Sequence, residues 1–217
     1  VGTLVFWDWG SRMKEMMRLS NVRFLLAWGL ALCMPSAMAA VPPPPKLPAD
    51  AYFLMDASTG KVLVDHQGDL SLPPASLTKI MTGYVLADEV DSGRASLDDI
   101  ISVSRTAWSQ NPTFKGSSLM WIEPGKPVSL ADLERGVVIS SGNDASVAVA
   151  EHLAGTEASF VDVMNQLAGE LGLDNTVYRN PHGLPHPEHR TTARDLATLS
   201  VALINNHPEH YNIYKEQ

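Results

Sequence analysis

Pro73-Pro74-Ala75-Ser76-Leu77-Thr78-Lys79-Ile80-Met81 is the stretch whose reading decides the fold and the chemistry of this chain. Two prolines lead into it, a residue tolerated before or within a first helical turn but not inside a helix. Leu77, Ile80, Met81, Tyr84 and Val85 then follow the i, i+3, i+4 spacing of a helix with one buried face. Positions i and i+3 of a helix are neighbours, with Cβ atoms roughly 5–6 Å apart, so Ser76 and Lys79 point to one place. A serine needs a base to become a nucleophile, and a neutral lysine can be that base. Burial, the positive end of the helix dipole and nearby positive charge would each push the lysine pKa down. By itself S-x-x-K is weak, because average composition supplies about one such match in a chain of this length.

The 217 residues suffice for one domain or one and a half. A hydrophobic content of 45% with 18% charged residues describes an ordinary globular protein, and the net charge of −8 argues against nucleic acid as a partner. The first 39 residues read differently. Arg18 and Arg23 precede the apolar run Phe24–Met34, which is followed by Pro35-Ser36-Ala37-Met38-Ala39-Ala40. A positive region, a short apolar region and A-x-A at Ala37–Ala39 make a secretory signal peptide, with the cut placed after Ala39. The run is too short to span a bilayer, which takes about 20 residues. Val1–Arg12 lie ahead of Met13, a plausible true start, and read as a start-site artefact. The lone cysteine, Cys33, leaves with the signal. Leu32 before it is not the small residue a lipid-attachment site would have. The exported chain is therefore expected to carry neither disulfide nor reactive thiol.

Residues 40–48 read as a proline-rich linker, extended and semi-rigid, and residues 49–217 as the globular part. Ala51–Asp56 and Lys61–Asp65, flanking Ser58-Thr59-Gly60, predict a hairpin. The Ser76 helix is expected to end near Asp91-Ser92-Gly93. Ser96 with Asp99, Ser129 with Asp132 and Thr192 with Asp195 each pair a cap residue with an acid three later, signals for helix or turn starts. Ile100–Val103 and Ser117–Ile122 predict short strands, the second closed by Glu123-Pro124-Gly125. Leu130–Ser140, Asp144–Ala154, Ala158–Leu171 and Ala193–Asn205 predict helices, and Asn180–Arg190 a loop dense in proline and histidine.

Ser140-Ser141-Gly142-Asn143-Asp144-Ala145 interrupts two helical patterns. Gly142 and Asn143 accept unusual backbone angles, so a tight turn is expected. It could aim the Ser141 hydroxyl and the Asn143 amide at one point, or Ser141 or Asn143 could simply cap the next helix. Chance rarely supplies S-x-N some sixty residues after S-x-x-K with helices between.

Together these words resemble the serine penicillin-binding proteins and serine β-lactamases, whose motif set is S-x-x-K, then S-x-N, then K-T-G. The closer resemblance is to the low-molecular-mass D-alanyl-D-alanine carboxypeptidases. Ala75–Thr82, Ser141–Ala145, Asn180-Pro181-His182-Gly183-Leu184 and Thr192-Ala193-Arg194-Asp195 carry it, and it runs from about residue 49 to Gln217. It implies a layered α+β fold of the serine β-lactamase and penicillin-binding-protein transpeptidase type. It implies an acyl-enzyme mechanism in which Ser76 attacks the carbonyl between two D-alanines at the end of a peptidoglycan stem peptide. Lys79 would take the proton, Ser141 would relay one to the leaving D-alanine, and Asn143 would hold the substrate amide or Lys79. The backbone N–H of Ser76 would form half of an oxyanion hole. No cofactor and no metal is implied. β-Lactams would trap Ser76 by mimicking the dipeptide, and the resemblance places the enzyme in the periplasm, at the outer face of the inner membrane.

The sequence departs from the family in one respect: K-T-G occurs nowhere in these 217 residues. In the family that lysine binds the substrate carboxylate, and its strand supplies the second oxyanion donor. The expectation is a fold incomplete at the C-terminus, lacking strands of the central sheet and the segment that meets the membrane surface. Residues 40–217 alone are then expected to fold poorly and hydrolyse nothing. Three further readings stay open. The same motifs serve a DD-endopeptidase. A β-lactamase is weaker, because Gly142 stands where class A enzymes have Asp. A non-catalytic cell-wall binding module is the reading without chemistry.

Other residues carry weaker signals. His182, His186 and His189 with Glu188 suggest zinc, but Pro181, Pro185 and Pro187 rule out a regular ligand-bearing helix. A loop bordering the active site is the better reading, with His182 structural or facing substrate. Trp108 and Trp121 read as core residues or pocket walls rather than stacking platforms, and Arg194 as a buried partner for an acid such as Asp195.

Overall fold

In the computed structural model the described residues are 47–216. The expected signal peptide, Cys33 and the part of the expected linker before Leu47 lie outside them. Two long stretches decide how the rest packs. The helix Lys79–Asp91 (α1) is buried continuously from Met81 to Ala87, and Asn143–Ala154 (α3) from Asn143 to Ala150. A helix that is buried all round has to be central. The others wrap them with one apolar face each. Leu130–Val138 (α2) buries Leu130, Leu133 and Val137, while Glu157–Glu170 (α4) buries Phe160, Val161, Met164 and Ala168. Ala193–Asn206 (α5) buries Leu199 and Leu203. Each fully buried Leu or Phe contributes about 1.5–3 kcal/mol. Among the described residues no helix is long and apolar enough to cross a membrane.

Strands are few, as the sequence predicts. Tyr52–Met55 (β1) and Val62–His66 (β2) form the expected antiparallel hairpin, Tyr52 facing His66, with an irregularity between Leu54 and Met55. Asp56 Oδ1 shapes its turn by accepting from the backbone of Ser58 at 3.0 Å and of Thr59 at 2.8 Å. Ile100–Ser102 (β3) is a strand too, but its antiparallel partner is Pro127–Ser129 (β4), Ile101 facing Val128. The predicted strand Ser117–Ile122 does not form. Its N–H groups at Met120, Trp121 and Ile122 donate to the Asp144 carboxylate, so none is free for a ladder.

Two of the three cap pairs start helices. Ser129 Oγ accepts from the Asp132 N–H at 3.1 Å, and Thr192 Oγ1 from Asp195 at 3.1 Å. Ser96 instead closes a turn, its N–H donating to Asp99 Oδ2 at 3.0 Å. Beyond α5 a short helix, Pro208–Tyr211 (α6), follows, with proline at its first position. Arg194 does not pair with Asp195. Its guanidinium reaches Asp65 at 2.6 Å and Asp69 at 2.7 Å and lies 4.5 Å over the Phe53 ring, tying α5 to the hairpin. Asp195 turns the other way and accepts from Asn175 N and Thr176 Oγ1.

Candidate active site

The Ser76 helix opens as a 3₁₀ turn, Ala75–Thr78, and becomes α-helical at Lys79. Residues three apart eclipse in a 3₁₀ turn, so Ser76 and Lys79 keep the shared face that the spacing predicts. Ser76 is exposed, whereas Lys79 is only 5% exposed. Ala75 has φ +49°, a left-handed conformation that costs about 1–3 kcal/mol for a non-glycine residue. The loop Asn180–Arg190 holds the turn in this shape. Thr78 Oγ1 donates to Ala75 O at 2.8 Å and lies 2.9 Å from His189 Nε2. His189 Nδ1 accepts from the Arg179 N–H at 3.3 Å, so the proton sits on Nε2 and is donated to Thr78. Burial, helped by the positive charges nearby, pushes the His189 pKa down to about 4, which keeps that neutral tautomer in place. Thr82 Oγ1 donates to Pro181 O at 2.6 Å. Gly183, at φ +90°, packs so close that a Cβ there would lie 1.9 Å from Ala75 O. Only glycine fits there.

Lys79 Nζ donates to Asn143 Oδ1 and to the His182 carbonyl, each at 2.7 Å. Burial lowers its pKa from 10.5 to about 8, against the Asp144 charge, which raises it. About a tenth of the lysine is then neutral at pH 7, enough to act as a base.

The Ser141–Asn143 turn is built from both sides. Ser141 has φ +52° and Gly142 N donates to Gly136 O at 2.9 Å. Neither Ser141 nor Asn143 caps α3. Gly142 is its N-cap, without a side-chain bond, and Asn143 Oδ1 is committed to Lys79. Asp144 is the residue the sequence reading missed. Its Oδ1 accepts from the N–H of Met120 (2.8 Å) and of Ala145 (2.9 Å), and its Oδ2 from Trp121 (2.8 Å) and Ile122 (3.1 Å). This fully buried carboxylate fastens the 117–122 segment to the Ser141–Asn143 turn. Asn143 N adds a bond to Ser118 O at 2.9 Å. Its only sequence signal is an acid beside the S-x-N word.

A cleft of about 410 Å³ opens where these pieces meet, lined by Ser76, Ser117, Ser118, Asn143, His182 and Gly183 among others. It brings Ser76 and Asn143 together, with Lys79 joined through its bond to Asn143. Ser141, half-buried two residues before Asn143, is not part of the lining. Nothing in the sequence singles out Ser117, Ser118 or the His182 carbonyl. Two of the loop's histidine rings also accept from backbone close in sequence. His182 Nδ1 accepts from Leu184 N and His186 Nδ1 from Glu188 N. Trp121 is no core residue: it is 74% exposed.

Comparison with known proteins follows the same lines. The family model for D-alanyl-D-alanine carboxypeptidase matches residues 37–217. The chain is 46% identical over 191 residues to the D-alanyl-D-alanine carboxypeptidase DacC of Escherichia coli, covering 87% of this chain and 48% of that protein. Among solved structures, penicillin binding protein 6B from Escherichia coli superposes with a TM-score of 0.78 at 44% identity, covering 84% of this chain and 58% of that one. Penicillin-Binding Protein D2 from Listeria monocytogenes in its cefotaxime-bound form gives 0.68 at 29% identity, covering 77% and 66%. The fold is therefore the mixed helix-and-sheet fold of the penicillin-binding proteins. The chain spans about half the length of the curated relatives it matches.

Proposed function

The chain belongs to the D-alanyl-D-alanine carboxypeptidase family, and from that membership we propose that its full-length protein removes the terminal D-alanine from peptidoglycan stem peptides. The observation that carries the reading is Lys79. It is a buried ammonium whose pKa lies at about 8, bonded to Asn143 and on the same turn face as an exposed serine at a cleft. Ser76 Oγ attacks the carbonyl carbon of the penultimate D-alanine and gives its proton to neutral Lys79. The backbone N–H of Ser76 supplies one oxyanion contact. The C–N bond then breaks, and the leaving amine takes a proton relayed through Ser141. Water hydrolyses the Ser76 ester and restores the hydroxyl. Asn143 orients Lys79 and the substrate amide.

A β-lactam enters the same cleft and acylates Ser76 through its ring carbonyl. The carboxylate-binding lysine and the second oxyanion donor belong in the family to K-T-G, which is not among these residues. The activity is accordingly proposed for the full-length protein. The segment that ends at Ala39 serves as its export signal and residues 40–48 as the spacer, so the full-length protein works in the periplasm. The test is release of free D-alanine from a pentapeptide ending in D-Ala-D-Ala. Release supports the reading; release of cross-linked dimers as monomers, with the pentapeptide untouched, would assign an endopeptidase instead.

A further inference from the structure

Thr78 and His189 lie 111 positions apart in sequence, are 0% and 2% exposed, and meet at the turn that carries Ser76. Burying a hydroxyl and an imidazole costs free energy unless their polar atoms find partners, and apolar side chains could have packed the same two segments together. Here the polar atoms are paired, and all in one direction. Arg179 N–H donates to His189 Nδ1 at 3.3 Å, which leaves the ring proton on Nε2. That N–H donates to Thr78 Oγ1 at 2.9 Å. The Thr78 hydroxyl, with one proton to give, donates it to Ala75 O at 2.8 Å.

The direction matters at Ala75. That residue is left-handed, at φ +49°, and immediately precedes Ser76. With the ring proton on Nδ1 instead, His189 Nε2 would be an acceptor, the Thr78 proton would turn to it, and the Ala75 carbonyl would lose this bond. Burial, helped by His182, His186 and Arg179, keeps the ring neutral with a pKa of about 4, so the relay stands at neutral pH. The same loop is fastened to the approach to Ser76, because Leu72 and Thr191 exchange two backbone bonds of 2.9 Å. It also holds the base, since the His182 carbonyl accepts from Lys79 Nζ.

We propose that His189 is a positioning residue for the nucleophile: held in one tautomer by Arg179 N–H, it commits the Thr78 hydroxyl to the Ala75 carbonyl and so fixes the backbone from which Ser76 projects. It touches no reacting atom. This rests on the reading of Ser76 as the acylated serine. A left-handed residue freed of its bond can relax toward ordinary backbone angles. Moving a reacting group by about 1 Å can slow a reaction roughly 10²-fold.

The test compares acylation by a tagged penicillin in the full-length protein, as wild type, His189→Leu, Thr78→Val and the double variant, each checked for folding by circular dichroism. Each single variant is expected to be acylated at least about tenfold more slowly, and the double variant no more slowly than either, since both break one relay. His189→Gln, whose amide N–H can replace the Nε2 donor, and Thr78→Ser, which keeps the hydroxyl, are expected to stay within about threefold of wild type. If His189→Leu does not fold, Thr78→Val set against Thr78→Ser decides. Wild-type rates in Thr78→Val, losses that multiply in the double variant, or no rescue by either conservative variant overturn the proposal. If penicillin does not label wild type, the acyl-serine reading fails, and hydrogen exchange at Leu77 N–H, bonded to Pro74 O at 3.2 Å, still decides on His189. Exchange is expected to quicken about tenfold in His189→Leu and in Thr78→Val, and unchanged exchange overturns the relay.

Discussion

Lys79 Nζ lies 2.7 Å from Asn143 Oδ1, a bond between residues 64 positions apart that joins the S-x-x-K and S-x-N words into one site. Its consequence is electrostatic. The lysine is held away from water with a neutral amide and a backbone carbonyl as partners, so its charge is only partly compensated.

Acylation by penicillin should therefore rise with pH as Lys79 loses its proton, with a midpoint near its pKa of about 8. Second-order acylation rates of the full-length protein between pH 6 and about pH 10 measure this. A rate that is flat or falling across that range removes Lys79 as the base.

Asp144→Asn should act twice. Losing a buried carboxylate that accepts four N–H bonds should cost about 2–4 kcal/mol, seen as a drop in Tm. The Asp144 charge also raises the Lys79 pKa, so its removal should shift the acylation midpoint to lower pH. A shift to higher pH would contradict the electrostatic role.

Gly183→Ala should destabilise the protein by about 2–4 kcal/mol, since the added Cβ meets backbone at Ala75 and the φ of +90° suits only glycine. Because Ala75 precedes Ser76, acylation should also slow more than tenfold, by roughly the cost of misplacing a reacting group. Wild-type acylation in a folded Gly183→Ala protein would show that the loop does not position Ser76.

A second buried pair sits away from the cleft. His210 Nδ1 contacts Glu134 Oε1 at 2.5 Å, with Asp91 on its other side, and these acids raise the His210 pKa above 6.5. A group whose folded pKa is raised stabilises the fold below its unfolded pKa and loses that contribution as pH rises through the folded value. Stability should therefore fall as pH rises above 6.5, and His210→Gln should flatten that dependence. An unchanged pH dependence in the variant would remove the pair from the account.

Sequence made the two motifs legible because their signals are local. Prolines before Ser76, the i, i+3, i+4 pattern after it and glycine in the S-G-N turn all act within a few residues. The hairpin is legible for the same reason, through Ser58-Thr59-Gly60 between two short apolar stretches. What escaped was long-range. Nothing around Ser117–Ile122 shows that Asp144 will take its N–H groups, so an apolar segment predicts a strand that does not form. Large aromatics usually sit in a core or a pocket wall, and nothing local to Trp121 signals its exposure. Arg194 found Asp65 and Asp69, more than a hundred residues away, rather than its neighbour. Gly183 belongs to the Asn180–Leu184 motif, but its contact with Ala75 exists only once the loop has folded back.

The most direct measurement is labelling of the full-length protein by a tagged penicillin, in wild type and in Ser76→Ala, with Ser141→Ala alongside. Wild type should be labelled covalently. Ser76→Ala, folded as judged by its circular dichroism and Tm, should not be labelled at all, and Ser141→Ala should be labelled about 10²–10⁴-fold more slowly. Continued labelling of Ser76→Ala would mean that the nucleophile is another residue and that the site is assigned wrongly.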